Sequence, residues 1–483
     1  MEKKKDHSTV LVIVCLAIIA VFWFLPGGGA ITSVGMKVIG VFIATVILLS
    51  FVNPVWPAFL AVALLSRTGV ASLAQITQGS IGNWIFYFIL MSFIMTHALN
   101  ESGFTKRVVG KFLSMPFARK SPWGFTIALA IASMLIGAFI DQCPAIAFVL
   151  SFANQLYKEL GYEKDDYYPH MTNFLVAYSV IIGGAMTPIS HSFALLGMGI
   201  YEGATGNSIS LAQYMAFGVP TGLVLFALLL LIVRFLCHPD FSNFETFDVN
   251  KVLTQGKMSK REKFVVTVFF AAVIMWMLPG IAGLFTNAAW VSAVNDYGIT
   301  FWAILAVVLF AVIRIDGKPV LNVAEVVSKK IDWGILIFVS IAIYLGSALS
   351  NDATGINAAI TGLITPLTAK VAPVVVALII SIAGVFVTNF ASNVTTITVM
   401  TGVGVAVAMA SNGAINPAGI ALCATMAGSC AYLLPSSFAG IALLHGNEYS
   451  DRATILKYGA IMMCLSSIAI GLVGYVVGCA ITG

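Results

Sequence analysis

The sequence predicts an all-α polytopic membrane protein of about 11 transmembrane helices in two inverted repeats, with two re-entrant hairpins and two unwound helices. Three observations carry this. The 483 residues are 59% hydrophobic and 9% charged, with a mean hydropathy of +0.98, whereas soluble chains carry about 25% charged residues. Apolar stretches of roughly 17–25 residues recur, the length that crosses the hydrocarbon as a helix, and the polar alternation of a closed barrel is absent. One block also returns. Asn83-Trp84, an apolar run, Ala98-Leu99 and Gly103 reappear as Asp332-Trp333, an apolar run, Ala348-Leu349 and Gly355, at offsets of 333 − 84 = 249 and 349 − 99 = 250.

In chain order, spans are expected near 9–25, 35–66 (broken at Pro54 and Pro57), 83–100, 215–236, 264–284, 299–315, 333–349 and 455–480. Between them lie apolar pieces at 123–158, 171–200, 355–410 and 414–445, interrupted by Gly, Pro, Asn and Ser. Residues 1–30 form an N-terminal segment with the first span, 31–240 the first repeat and 264–483 the second, joined by a cytoplasmic linker at 241–263. The net charge of +5 sits in short basic patches: Lys3–Lys5, then Lys106, Arg107, Lys111, Arg119 and Lys120, then Lys251, Lys257, Lys260, Arg261 and Lys263. Basic loops stay cytoplasmic, so the N-terminus is expected inside and, after an odd number of crossings, the C-terminus outside. Such patches suit a bilayer, not a nucleic acid. Pro26–Ala30 is a poor cleavage region for a signal peptide. Seven cysteines lie mostly in apolar runs without metal-ligand spacing and read as buried small hydrophobes.

Two polar clusters interrupt apolar segments at matching places. Gly137–Pro144 contains Asp141-Gln142-Cys143, and Thr388–Thr395 contains Ser392-Asn393-Val394, at an offset of 392 − 141 = 251. Non-helical backbone survives in hydrocarbon only where protein or a water-filled cavity satisfies its polar groups. The pair therefore reads as hairpins at 123–158 and 372–410. Their tips would offer helix N-termini to an anion and free carbonyls to a cation. Downstream, Gly183–Ala194 and Leu434–Gly440 both carry Pro, then hydroxyls, then Ser-Phe-Ala. These read as unwound helices at 171–200 and 414–445. Small and hydroxyl residues often serve only helix packing, but two matched clusters per half at one offset favour a site. Duplicated broken helices mark a secondary carrier, its binding site lying where the halves meet. Five crossings per repeat, an odd count, would invert the halves.

These residues resemble the divalent anion/sodium symporter family of the ion transporter superfamily. Ser392-Asn393 after Thr388-Asn389-Phe390-Ala391 looks like its Ser-Asn-Thr signature. Asp332-Trp333-Gly334 leading to Leu345–Leu349 looks like its second-repeat scaffold, and Gly183-Gly184 with Thr187-Pro188 like its first unwound helix. The resemblance runs from about residue 30 to the C-terminus. It implies an elevator-type scaffold plus transport domain, a homodimer in the cell membrane, and sodium-coupled symport or exchange of small organic anions, typically carboxylates. Sodium would be held by Thr388, Ala391, Asn393 and Ser436 in the second repeat, and by Gly137, Asp141, Gln142 and Ser190 in the first. The substrate would meet Ser392, Asn393, Val394, Thr395, Ser437 and Phe438 on one side, and Asp141, Gln142, Cys143, Ser190, His191 and Ser192 on the other. No organic cofactor is expected.

The sequence departs from that family where Asp141-Gln142-Cys143 replaces Ser-Asn-Thr and Val394 replaces the second Thr. An ionised Asp141 offers acceptors only and would repel a second substrate carboxylate. Three resolutions stand open: sodium neutralises Asp141; a proton does, which would make H+ a coupling ion; or a positive group on the substrate pairs with it. His191 could share that proton. A cation/proton antiporter using Asp141 is the competing carrier class. An enzyme would need a nucleophile with its base or a ligand cluster, which the spans lack. Glu202 and Glu448 are expected near loops, His97 and Glu101 as a snorkelling or paired set at a span end, Glu163–Asp166 as a solvated loop, and the Phe and Trp residues as lipid-facing surface.

Overall fold

The computed structural model describes residues 2–483 except 54, 245–256, 283–285, 287, 350, 357, 360–370, 391 and 436. Pro54, Lys251 and the predicted sodium ligands Ala391 and Ser436 therefore lie outside the described residues, as does most of the linker. Helices dominate, as the hydropathy requires. Among the described residues seven are long and apolar enough to cross a membrane, or up to nine if each of two bent pairs counts as one span.

The duplicated block proves to be a helix with its caps. Trp84–Glu101 starts at Asn83, whose side chain accepts from the Ile85 N–H, and gives way to Gly103 in the left-handed region at φ +93°. Trp333–Leu349 starts after Asp332, whose Oδ1 accepts from the Ile335 N–H at 3.0 Å, and Gly355 follows at φ +68°. Asn and Asp satisfy orphan amides at a helix start, and glycine takes the left-handed turn without a Cβ penalty. These two helices run in opposite directions. Gly199 sits against Ile85 from the start of one and Ile343 from late in the other.

Both predicted hairpins are helix–break–helix. Pro122–Phe139 and Gln142–Leu160 flank one break, Pro373–Phe390 and Asn393–Ala410 the other. The offset is 373 − 122 = 251 at the start and 390 − 139 = 251 at the break. The unwound helices are Tyr167–Met186 with Ser192–Thr205, and Pro417–Gly428 with Ala439–Gly446. The second break, from Ser429 to Phe438, is longer than the first, from Thr187 to His191.

Three readings need correction. Gly183 and Gly184 are not unwound but lie inside Tyr167–Met186, where they permit close packing. A Cβ on Gly183 would strike the Met134 carbonyl, one on Gly137 the Val180 carbonyl, and one on Gly184 the Gln142 side chain. Gly183→Ala must therefore part the first hairpin helix, Pro122–Phe139, from Tyr167–Met186, and is expected to cost about 1–3 kcal/mol, read as a lower unfolding midpoint of the detergent-solubilised protein. Second, many aromatic rings are core rather than lipid surface: Phe88, Phe125, Phe269, Phe310 and Trp276 are all buried. Third, the all-α expectation admits one small antiparallel pair, Arg314–Ile315 with Lys318–Pro319. Its turn residues Asp316 and Gly317 both have positive φ, the geometry of a tight hairpin turn.

Candidate functional site

Each hairpin break ends at a helix start, and the first of these is capped by a side chain while the second is not. Asp141 caps Gln142–Leu160, its Oδ1 accepting from the Cys143 N–H at 3.1 Å. Ser392 stands at the same place before Asn393–Ala410. The two starts meet at one cavity of about 570 Å³.

Of the predicted substrate residues, Asp141, Gln142, Cys143, His191, Ser192, Ser392, Asn393, Val394, Ser437 and Phe438 line this cavity. Ser190 and Thr395 do not, and of the predicted sodium residues Gly137 and Thr388 also lie behind the wall. Groups behind the wall, and Gln142 on it, hold the breaks in place. Ser190 Oγ donates to the Gly137 carbonyl at 2.6 Å, Thr187 Oγ1 to the Ala138 carbonyl, and Gln142 Nε2 to the Ile181 carbonyl at 3.1 Å. In the second half Asn389 is the clamp. Its Nδ2 donates to the carbonyls of Val385 and Cys430 at 2.7 and 3.0 Å, and its Oδ1 accepts from the N–H groups of Tyr432 and Leu433 at 2.6 and 2.9 Å. Tyr178 ties the halves together, its hydroxyl donating to the Tyr432 carbonyl at 2.8 Å.

Three side chains of the cavity wall are buried yet carry a polar atom without a partner: Gln142 Oε1, Asn393 Nδ2 and His191 Nε2, on residues 1%, 2% and 3% exposed. Buried polar groups are nearly always paired, so unpaired ones around a cavity point to a ligand. The hairpins differ in what they offer. The first presents acceptors, the Asp141 carboxylate and the Gln142 carbonyl oxygen; the second presents donors, the Asn393 N–H edge and the Ser392 hydroxyl. Asn393 is adaptable. Thr388 Oγ1 has one proton and lies 2.8 Å from Asn393 Oδ1 and 2.6 Å from the Gly428 carbonyl oxygen. With that proton on Gly428, the amide can turn over to donate to Thr388 and face the cavity with its oxygen. One residue thus suits an anion or a cation.

Sequence reasoning missed the cavity's open side. Thr96, His97 and Asn100 from the end of Trp84–Glu101 line it together with Lys330, Asp332 and Ile335 from the start of Trp333–Leu349. Only the antiparallel approach of the two repeated helices brings these residues together. His97 does pair with Glu101, at 3.2 Å. Asp332, read as scaffold, is both a helix cap and the second carboxylate of the cavity, and Lys330 beside it is exposed.

The remaining acids are outside this cavity. Glu163–Asp165 is exposed, as expected of a solvated loop. Glu448 lies 2.7 Å from Lys164 and 3.7 Å from Lys158; its hydrogen bond to Lys164 holds its carboxyl below the usual carboxylate range. Glu262 is paired with Arg107, linking the helix Phe104–Leu113 to Lys260–Ala282. Among the described residues no three His, Cys, Asp or Glu side chains cluster in a way that could hold a metal ion.

Residues 41–427 match the family model described as citrate transporter. The chain is 26% identical over 407 residues to the sodium-dependent dicarboxylate transporter SdcS of Staphylococcus saprophyticus, covering 82% of this chain and 76% of that protein. It is 24% identical to SdcS of Staphylococcus aureus strain MRSA252 over 98% of this chain and 92% of that one. The crystal structure of the Alcanivorax borkumensis YdaH transporter shares the fold at a TM-score of 0.57 and 13% identity, over 82% of this chain and 86% of its own. The match to a transporter family model over most of the chain, together with broken apolar helices that converge on one cavity, defines a multi-pass membrane transporter. The chain belongs to the citrate transporter family, of the divalent anion/sodium symporter type.

Proposed function

We propose that this protein carries a small organic anion, a carboxylate, across the cell membrane in symport with sodium, by an elevator movement of a transport domain against a dimeric scaffold. The observation that carries this reading is the asymmetry of the two hairpin tips. The donors Asn393 and Ser392 suit a substrate carboxylate, while the acceptors Asp141 and Gln142 suit a hard cation. Relatives named for sodium-dependent dicarboxylate transport agree in both substrate charge and ion. The opposite run of Trp84–Glu101 and Trp333–Leu349 supports inverted repeats. Basic Lys330 lines the cavity beside Asp332, and the positive-inside tendency puts that side in the cytoplasm.

Sodium at the first tip would neutralise Asp141 and let a carboxylate sit nearby. A second reading rests on Asp332. Two carboxylates on one small cavity also suit a substrate bearing its own positive group, or a proton in place of sodium. Uptake of labelled mono-, di- and amino-carboxylates into proteoliposomes, with and without a sodium gradient, tests both. Sodium-driven accumulation of a carboxylate is expected. Proton release on adding sodium without substrate would instead establish the antiporter.

Thr388→Val is expected to raise the sodium concentration for half-maximal uptake several-fold, because the hydroxyl that orients the Asn393 amide is lost at constant shape. An unshifted sodium curve would remove Thr388 from the ion site.

A further inference from the structure

A second cavity, of about 640 Å³, lies at the opposite ends of the helices from the rim of Lys330 and Asp332. The start of Trp84–Glu101, the end of Ser192–Thr205, the start of Leu211–Leu236, the end of Lys260–Ala282, the short helix Ala289–Asp296 and the start of Gly298–Val312 line it. Four aromatic residues line it, Trp84, Trp276, Tyr297 and Trp302, and they are braced: Trp276 Nε1 donates to the Ile299 carbonyl at 2.9 Å, and the Tyr297 and Trp302 rings are 5.7 Å apart. The single charged residue among the described lining is Glu202.

Glu202 has no cationic partner among the described residues; Trp84 Nε1 lies 3.5 Å from its Oε1. Its counterpart in the other repeat, Glu448, has two lysines. The same acid is thus compensated in one half, while in the other it stands half-buried among aromatic rings. Rings with a carboxylate are the chemistry that recognises a cation too large and weakly hydrated to prefer water, above all a quaternary ammonium.

The geometry points to a binding site for a monovalent organic cation at Glu202, walled by Trp84, Trp276, Tyr297 and Trp302, on the face away from the opening of the carboxylate cavity. Nothing in the transport reading uses this site, so either stands if the other falls.

The test is titration of the purified full chain with benzyltrimethylammonium and with neopentylbenzene, the uncharged isostere, followed by calorimetry and by the unfolding midpoint. Saturable binding of the ammonium alone is expected. Glu202→Gln should weaken it at least tenfold, Trp302→Leu several-fold, and Asp332→Asn, which removes an acid from the other cavity, not at all. Equal binding of neopentylbenzene would make the cavity an apolar lipid or detergent pocket. Unchanged binding to Glu202→Gln, or loss on Asp332→Asn, would place the cation elsewhere. Absence of ammonium binding to the unaltered chain would end the proposal, and the isostere comparison needs no variant to fold.

Discussion

Asn393→Ala is expected to abolish sodium-driven uptake while leaving the fold intact. Asn393 is the first residue of its helix, 2% exposed, with Nδ2 unpartnered and Oδ1 on Thr388. Alanine is favourable in a helix, and Thr388 keeps its bond to the Gly428 carbonyl, so no new buried orphan arises. The structural cost is small because the lost amide edge had nothing to hold. The functional cost is large. A hydrogen bond to a charged group contributes about 1.5–3 kcal/mol, about ten- to a hundredfold in affinity. On the proposed reading the cavity-facing edge of the Asn393 amide contacts carboxylate in one orientation and sodium in the other, so uptake should fall by about a hundredfold. The check is sodium-dependent uptake alongside the unfolding midpoint. Retained uptake with an unchanged sodium curve would refute a role for Asn393 at the site.

What the sequence made legible depended on contrast. Asp141-Gln142 and Ser392-Asn393 stand out because polar residues in an apolar run must be buried against something that satisfies them, and the structure places both pairs on one cavity. The capped helices were legible for a local reason, since Asn83, Asp332, Gly103 and Gly355 act within a turn of their own position. Asn389 shows where contrast fails. It belongs to the same polar cluster as Asn393, yet its four hydrogen bonds run to backbone more than forty residues away as well as to its own helix. Composition does not separate a clamp from a contact. Asp332 and His97 were hidden for a different reason. They join the cavity only because one repeat helix ends where the other begins, a tertiary fact that spacing along the chain does not encode. Gly183 and Gly184 were misread because a glycine that opens a helix and one that lets two helices touch look alike in sequence.

Asp141→Asn tests the charge logic of the whole cavity, and its expected result is a rise of at least tenfold in the sodium needed for half-maximal uptake, with preference shifted toward dianionic substrates. Asparagine caps a helix as well as aspartate does, so the bond to the Cys143 N–H survives and the hairpin keeps its shape. What changes is one unit of negative charge. Two unit charges 4 Å apart interact by about 4 kcal/mol at an effective dielectric of 20, roughly a thousandfold in affinity. That quantity is gained by a bound sodium ion and lost by a neighbouring carboxylate, so the substitution moves the two in opposite directions. Asp332 remains on the cavity and limits the shift, since it still attracts a cation. Proton coupling predicts a different pattern: the pH profile of uptake flattens while the sodium curve stays put. If the sodium curve, the charge preference and the pH profile are all unaltered, Asp141 is a helix cap and nothing more, and the cation site must be sought among the acceptors that remain, Gln142 and the turned amide of Asn393.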